Sequence, residues 1–289
     1  MIVETEAQKW QGGDGLGEEK GLNSKYGKKM KNRDKRQILS FNISSFGSGK
    51  DSKIGDCRKL LLREKPYVVA IQESKCNSVD KKWEKVGLSG GMLLIWDTNE
   101  LEVEETIIDD YFIALKGKWK GKEVDVIITN IYGPHSDSNK QKMWSSLVIF
   151  VGSFDTDWVL CGDFNEVRDE SERKKCEFVD RRVRWFNEFI NTIKLIKVPM
   201  SGKRFTRICD NGIIFSKIDR FLVLKFFFDT WGELSVLALE CKISDQCPIV
   251  LLDAAIDFGP KPTKVFDEWL ELEGSDKIIS DCWNQIIQR

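Results

Sequence analysis

The chain has 289 residues, 41% of them hydrophobic and 31% charged, with a formal net charge of −1. This is an ordinary globular mix, long enough to bury a substantial core as one large α/β domain or two small ones. It excludes a membrane-spanning protein, since no apolar run reaches the roughly 20 residues a span requires, and the polar start has no signal-peptide core. An intracellular protein without membrane contact is therefore expected. The near-zero charge gives no global push toward nucleic acid. Eight cysteines are scattered with no CxxC pair, which favours reduced thiols over a zinc knuckle or a disulfide framework.

Residues 1–36 are rich in Gly, Lys and Glu and poor in branched apolar residues, and are expected to be disordered. Within them Lys25, Lys28, Lys29, Lys31, Arg33, Lys35 and Arg36 form a basic stretch, read either as a phosphate-binding or nuclear-import element or as a solvated tail. Order begins with a short apolar strand at 37–43. A helical pattern over 54–64 stops before Pro66, and Tyr67 to Ile71 is a continuous apolar run of buried-strand type that ends in Gln72 and Glu73.

Further strands are expected from Met92 to Trp96, in a hairpin from Val103 to Trp119, and from Val124 to Tyr132. A helix over 139–150 precedes the buried strand 158–161, which exits at Gly162-Asp163. Residues 180–197 place Val183, Phe186, Phe189, Ile190 and Ile193 on one helical face, with Pro199 beyond its end. The last strands are expected at 217–223, 235–239 and 248–252. After Asp253 the texture changes: 254–289 reads as a Gly/Pro linker followed by amphipathic helical segments, giving a central domain over 37–253.

Chemistry-bearing residues recur just after the apolar strands. Glu73 is the strongest metal-ligand candidate, because a carboxylate at a sheet rim can bind Mg²⁺ while water and substrate phosphate fill the other positions; the alternative is a surface glutamate in a turn. In Gly162-Asp163-Phe164-Asn165 the glycine permits a tight exit. Asp163 can take a proton from an attacking water, and Asn165 can orient that water or a phosphate oxygen; the alternative here is an Asx turn. Asp219 and Asp245 sit among apolar residues, where an unpaired carboxylate is costly, so each is expected to have a metal, a cation or a histidine as partner. A salt bridge from Arg204 or Arg220 is the plainer alternative.

Taken in order, LSFN (39–42), AIQESK (70–75), SGGMLLIWD (89–97), NIYGPHSD (130–137), GDFNEVR (162–168), ERKKCEF (172–178), FSKIDRFLV (215–223) and SDQCPIVL (244–251) resemble the endonuclease/exonuclease/phosphatase superfamily. The closer likeness is to the endonuclease domain of plant LINE-type (non-LTR) retrotransposon proteins, and the tail after Gly259 looks like the segment that leads into their reverse transcriptase. The resemblance implies an α/β fold, a DNase I-like four-layer sandwich of two mixed β-sheets flanked by helices. It implies DNA as substrate and partner, no obligate protein partner, a nuclear location, and Mg²⁺ or Mn²⁺ as cofactor. Asn42 and Glu73 match the metal-site residues, Asp245 a further carboxylate at the metal or beside the catalytic histidine, Tyr132 the tyrosine that contacts the scissile phosphate, Asp163 and Asn165 the water-activating pair, and Asp219 the aspartate that holds a catalytic histidine.

That histidine is replaced by Gln246, so impaired hydrolysis is expected; the chain's one histidine, His135, lies at a different motif. His135, Lys174, Lys175 and Arg181 are the candidate DNA-phosphate contacts, with solvated surface charges as the alternative. Two further departures are Ser44-Ser45, where relatives carry a glycine, and a shortened segment at 84–88 that threatens an unpaired sheet edge. The rival functions are a phosphomonoesterase or phosphodiesterase of the same superfamily and a non-catalytic nucleic-acid-binding remnant.

Overall fold

The structure, a computed structural model, describes residues 37–44, 50–74, 91–209, 212–253 and 277. All of these except Lys277 belong to one compact unit, and Lys277, which is helical, belongs to a second. The segment 84–88, Ser45, the N-terminal arm and the other tail residues lie outside the described residues.

The elements in chain order begin with β1 (Gln37–Asn42), α1 (Lys50–Glu64), β2 (Val68–Gln72), β3 (Leu93–Trp96), β4 (Leu101–Ile108), β5 (Phe112–Trp119) and β6 (Val124–Tyr132). Next come α2 (Asp137–Gly152), β7 (Asp157–Asp163), a 3₁₀ turn (Glu170–Glu172), β8 (Arg173–Lys174), α3 (Asp180–Thr192), β9 (Ile196–Lys197) and β10 (Met200–Gly202). The series closes with β11 (Arg207–Cys209), β12 (Ile214–Ser216), β13 (Asp219–Val223), α4 (Lys225–Trp231), β14 (Leu234–Ala238) and β15 (Ile249–Asp253). The described strands form two six-stranded sheets, β10-β14-β15-β1-β2-β3 and β4-β5-β6-β7-β13-β9, and a small one, β11-β12-β8. Both large sheets are mixed: β1 and β2 run parallel, as do β6 and β7, while β15 lies antiparallel to β1 and β13 antiparallel to β7.

Period-two alternation builds the layers. Ile38, Val68 and Ala70 of the first sheet meet Val126, Ile128 and Val159 of the second in one inter-sheet core. The residues between them point outward: Leu39, Phe41, Val69 and Ile71 pack with Cys57 and Leu60 of α1, whereas Ile127, Ile131 and Leu160 pack with Met143 and Leu147 of α2 and Phe186 of α3. The result is helix, sheet, sheet, helix: the expected four-layer α/β sandwich.

Toward the C-terminal ends of β1, β2, β6 and β7 the inward-facing positions change from apolar to polar. Keeping the parity of Ile38, Val68, Val126 and Val159 places Asn42, Gln72, Asn130, Tyr132 and Asp163 between the sheets at one end. Asp219 joins them because it pairs with Asp163 across the β7–β13 ladder. Gly162 makes this end possible: it has φ of 131°, and a Cβ there would sit 2.0 Å from the Ile131 carbonyl oxygen, so a side chain would push the neighbouring strand away.

The α3 helix ends at Thr192, short of the 197 expected. Ile193 caps it and Lys194 takes a φ of 55°, which turns the chain so that Ile196-Lys197 can pair with β13. Sheet pairing has overridden the helical periodicity. Cys241 and Cys247, six positions apart, are brought together where the loop between β14 and β15 folds back, with their Cα atoms 4.1 Å apart. Cys57, Cys161, Cys176 and Cys209 are free. No helix among the described residues is long and apolar enough to cross a membrane.

Asp157, at the start of β7, is buried with neither carboxylate oxygen hydrogen-bonded, and burial pushes its pKa up to about 6 from an ordinary 3.8. The folded state therefore holds this proton more tightly than the unfolded chain, so stability is lost as pH rises from about 4 to about 6. Asp157→Asn is expected to add on the order of 1–2 kcal/mol at pH 8 and little at pH 4. Urea unfolding at the two pH values checks this.

Candidate active site

Asp163 is the hub of the polar end. It is 1% exposed and accepts from Asn42 Nδ2 (3.1 Å), the Asn165 backbone N–H (2.8 Å) and Gln246 Nε2 (3.0 Å). These donors come from the first sheet, the loop after β7 and the loop before β15, so the carboxylate ties the two sheets together. Burial pushes its pKa up, and the hydrogen bonds from Gln246, Asn165 and Asn42 pull the other way.

Tyr132, in register with Asp163 on β6, donates to Glu73 Oε1 at 2.5 Å. Burial, and then Glu73, hold the phenol well above the usual tyrosine pKa, so it stays a hydrogen-bond donor. Asp245 lies beside them, held by Ser44 Oγ at 2.8 Å, Arg207 Nε at 3.1 Å and the Cys209 thiol at 3.1 Å. Ser44 also bonds Asn42, its backbone N–H meeting Oδ1 at 2.8 Å. Three of these residues have positive φ: Ser44 at 47°, Glu73 at 54° and Asn165 at 50°. Asn tolerates this conformation; for Ser and Glu it costs roughly 1 kcal/mol each. Ser44 is one of the two positions, with Ser45, where a strained turn is expected if the chain needs positive φ.

Asp219 is fully buried, and neither of its carboxylate oxygens has a hydrogen-bond partner. Burial and the neighbouring Asp163 push its pKa well up; Thr206 and Arg220 oppose this only in part. Gln246 Oε1 is also buried and unpartnered. Position 246 thus offers Asp219 no donor, the task expected of the ring N–H of a histidine.

The expected ligand set fits a divalent cation only in part. Among the described residues no group of three or more His, Cys, Asp or Glu side chains is placed to hold one. Mg²⁺ is nevertheless commonly held by one or two carboxylates plus water and substrate phosphate. Glu73 supplies one such carboxylate, and the side-chain oxygen of Asn42 would have to give up its bond from the Ser44 N–H to join it. Asp245 is more firmly engaged, both of its oxygens facing donors.

The expected DNA contacts divide similarly. His135, Lys174 and Lys175 are exposed. Arg181 is instead engaged with Asp137 at 2.5 Å, beside Arg182 on the same carboxylate at 2.5 Å. Glu172, in the basic ERKK run, is a half-buried anchor for Arg220 and Lys197, not part of a phosphate surface.

Four groups escaped the sequence reading. Gln72 and Asn130 bond each other at 2.5 Å in the polar layer, a signal present in the inward parity of both strands. Lys140 of α2 is 2% exposed, pairs with Glu166 at 3.2 Å and donates to the Asn165 carbonyl at 2.5 Å; a lone lysine in an amphipathic helix gives no such signal. The fourth, Arg207, lies opposite Gln246 in an isolated antiparallel bridge.

Carboxylates and amides thus gather where the strand ends of a two-sheet sandwich meet. A family profile described as the endonuclease/exonuclease/phosphatase family matches residues 39–223, and the chain belongs to that family. Similar solved structures include an AP endonuclease from Leishmania major (TM-score 0.61, 13% identity, covering 75% of this chain and 87% of that one). They also include the catalytic domain of Xenopus laevis APE2 (0.56, 13%, 82% and 99%) and a mannosyl-6-phosphatase from Bacteroides thetaiotaomicron (0.52, 14%, 75% and 99%). No curated protein matches. Members of the family are hydrolases of phosphoester bonds, and the identities of 13–14% extend to the fold alone.

Proposed function

We propose that this chain is an endonuclease domain derived from a LINE-type non-LTR retrotransposon. In this reading it is built to hydrolyse DNA phosphodiester bonds with Mg²⁺ or Mn²⁺ and is impaired at position 246. The observation that carries the reading is Asp163, a buried carboxylate held by three donors from separate elements at the meeting point of two sheets. Such an arrangement is costly for stability and suits a positioned base.

A divalent cation held by Glu73 and Asn42 would stabilise negative charge developing on the phosphate. Asp163 takes the proton of the attacking water, which Asn165 orients, and its raised pKa makes it the stronger base once ionised. Tyr132 would turn its one O–H donor from Glu73 to a phosphate oxygen. Gln246 donates one neutral hydrogen bond where a histidine would present a charge; the loss is on the order of 10²–10⁴ in rate. DNA is the partner, no obligate protein partner is required, and the basic stretch from Lys25 to Arg36 suits action in the nucleus. The second reading, a DNA-binding remnant without catalysis, is favoured by Gln246 alone.

Supercoiled plasmid incubated with and without Mg²⁺ and scored for nicked circles tests this. The unmodified protein is expected to nick slowly or not at all, and Glu73→Ala to remove whatever activity is found. Efficient nicking that survives Glu73→Ala, or phosphate release from a monoester without nicking, would contradict the proposal.

A further inference from the structure

We propose that Arg207 is the phosphate-contacting cation of this cleft, taking the place of the charge that Gln246 lacks, and that it binds a DNA phosphodiester group. This rests on the phosphodiester reading above. In the antiparallel bridge between Arg207 and Gln246 the two side chains leave the same face. Gln246 runs inward to Asp163 and is 4% exposed, whereas the Arg207 side chain stays at the rim, 40% exposed.

Its one bond to a carboxylate uses Nε, to Asp245. A guanidinium has five N–H donors, and four of them are on the terminal nitrogens. Lys140, the buried cation of α2, is taken by Glu166 and the Asn165 carbonyl. Arg207 sets positive charge against the carboxylate of Asp245, where an entering phosphate would otherwise meet that negative charge.

The test is binding of a fluorescent DNA duplex by anisotropy, in EDTA, across a salt series. Arg207→Gln is expected to weaken binding roughly tenfold, the effect of one charge-assisted hydrogen bond. It should also lower the slope of log K against log salt by about one. Arg207→Lys should keep most of both. Asp245→Asn, which preserves shape while removing the carboxylate that competes for the guanidinium, should tighten binding. Equal binding and equal salt slope for the unmodified protein and Arg207→Gln overturn the proposal, and so does absence of binding by both. If instead Arg207-dependent binding is present but Gln246→His never nicks with Mg²⁺, the phosphodiesterase reading fails and the assignment of Arg207 as a phosphate contact stands.

Discussion

Lys140→Met is expected to cost about 3–5 kcal/mol of folding free energy, because it removes the nearer cation from the buried carboxylate of Glu166. Both side chains are 2% exposed and lie 3.2 Å apart. Arg173, the other cation near Glu166, is 3.6 Å away and does not replace a direct partner. Lys140 also donates to the carbonyl of Asn165, so the ion pair holds the loop that presents Asp163 and Asn165 to the cleft. The double variant Lys140→Met/Glu166→Met removes both charges together and should recover most of the loss, since two apolar side chains of similar volume avoid the desolvation penalty. Urea unfolding of the single and double variants measures this; a single variant within 1 kcal/mol of the parent would mean that the pair is not buried as described.

Gln246→His is expected to raise Mg²⁺-dependent nicking by about 10²–10⁴. The place for the ring is already prepared. Asp219 presents two buried oxygens without donors, so the imidazole would gain a partner that fixes its tautomer and favours its cationic form. The raised pKa of Asp219 should fall once that donor arrives. A repaired protein should therefore lose nicking as pH rises through the histidine pKa, with the neutral ring donating as poorly as the amide does now. A pH–rate series of the variant, set against the flat, low profile of the parent, reads this out.

The parts of the fold that depend on alternation were legible in the sequence. β6 matches its expected bounds, and the outward and inward residues of β1 and β2 follow period two to the point where Asn42 and Gln72 enter the polar layer. What could not be read depends on contacts distant in sequence. β9 formed where a helix was expected, because β13 supplied an edge for Ile196-Lys197. The short strands β8, β10, β11 and β12, of two or three residues each, are too brief to carry a periodic signal. The same holds within the site. Asp163 and Asn165 are visible because glycine and Asx residues mark the turn. Arg207 gains its meaning from a bridge to a residue 39 positions later (246 minus 207), and Lys140 from a glutamate in another element.

The most direct test of the central claim, that this cleft is a phosphodiester-hydrolysing site lacking one charged group, is the plasmid-nicking time course of Gln246→His beside Gln246→His/Asp163→Ala, each with Mg²⁺ and with EDTA. Nicked circles are predicted only for the single variant and only with Mg²⁺, because Asp163 is then the base and Glu73 with Asn42 the cation site. Nicking that persists without Asp163, or no nicking by a folded Gln246→His protein under any condition, would contradict it.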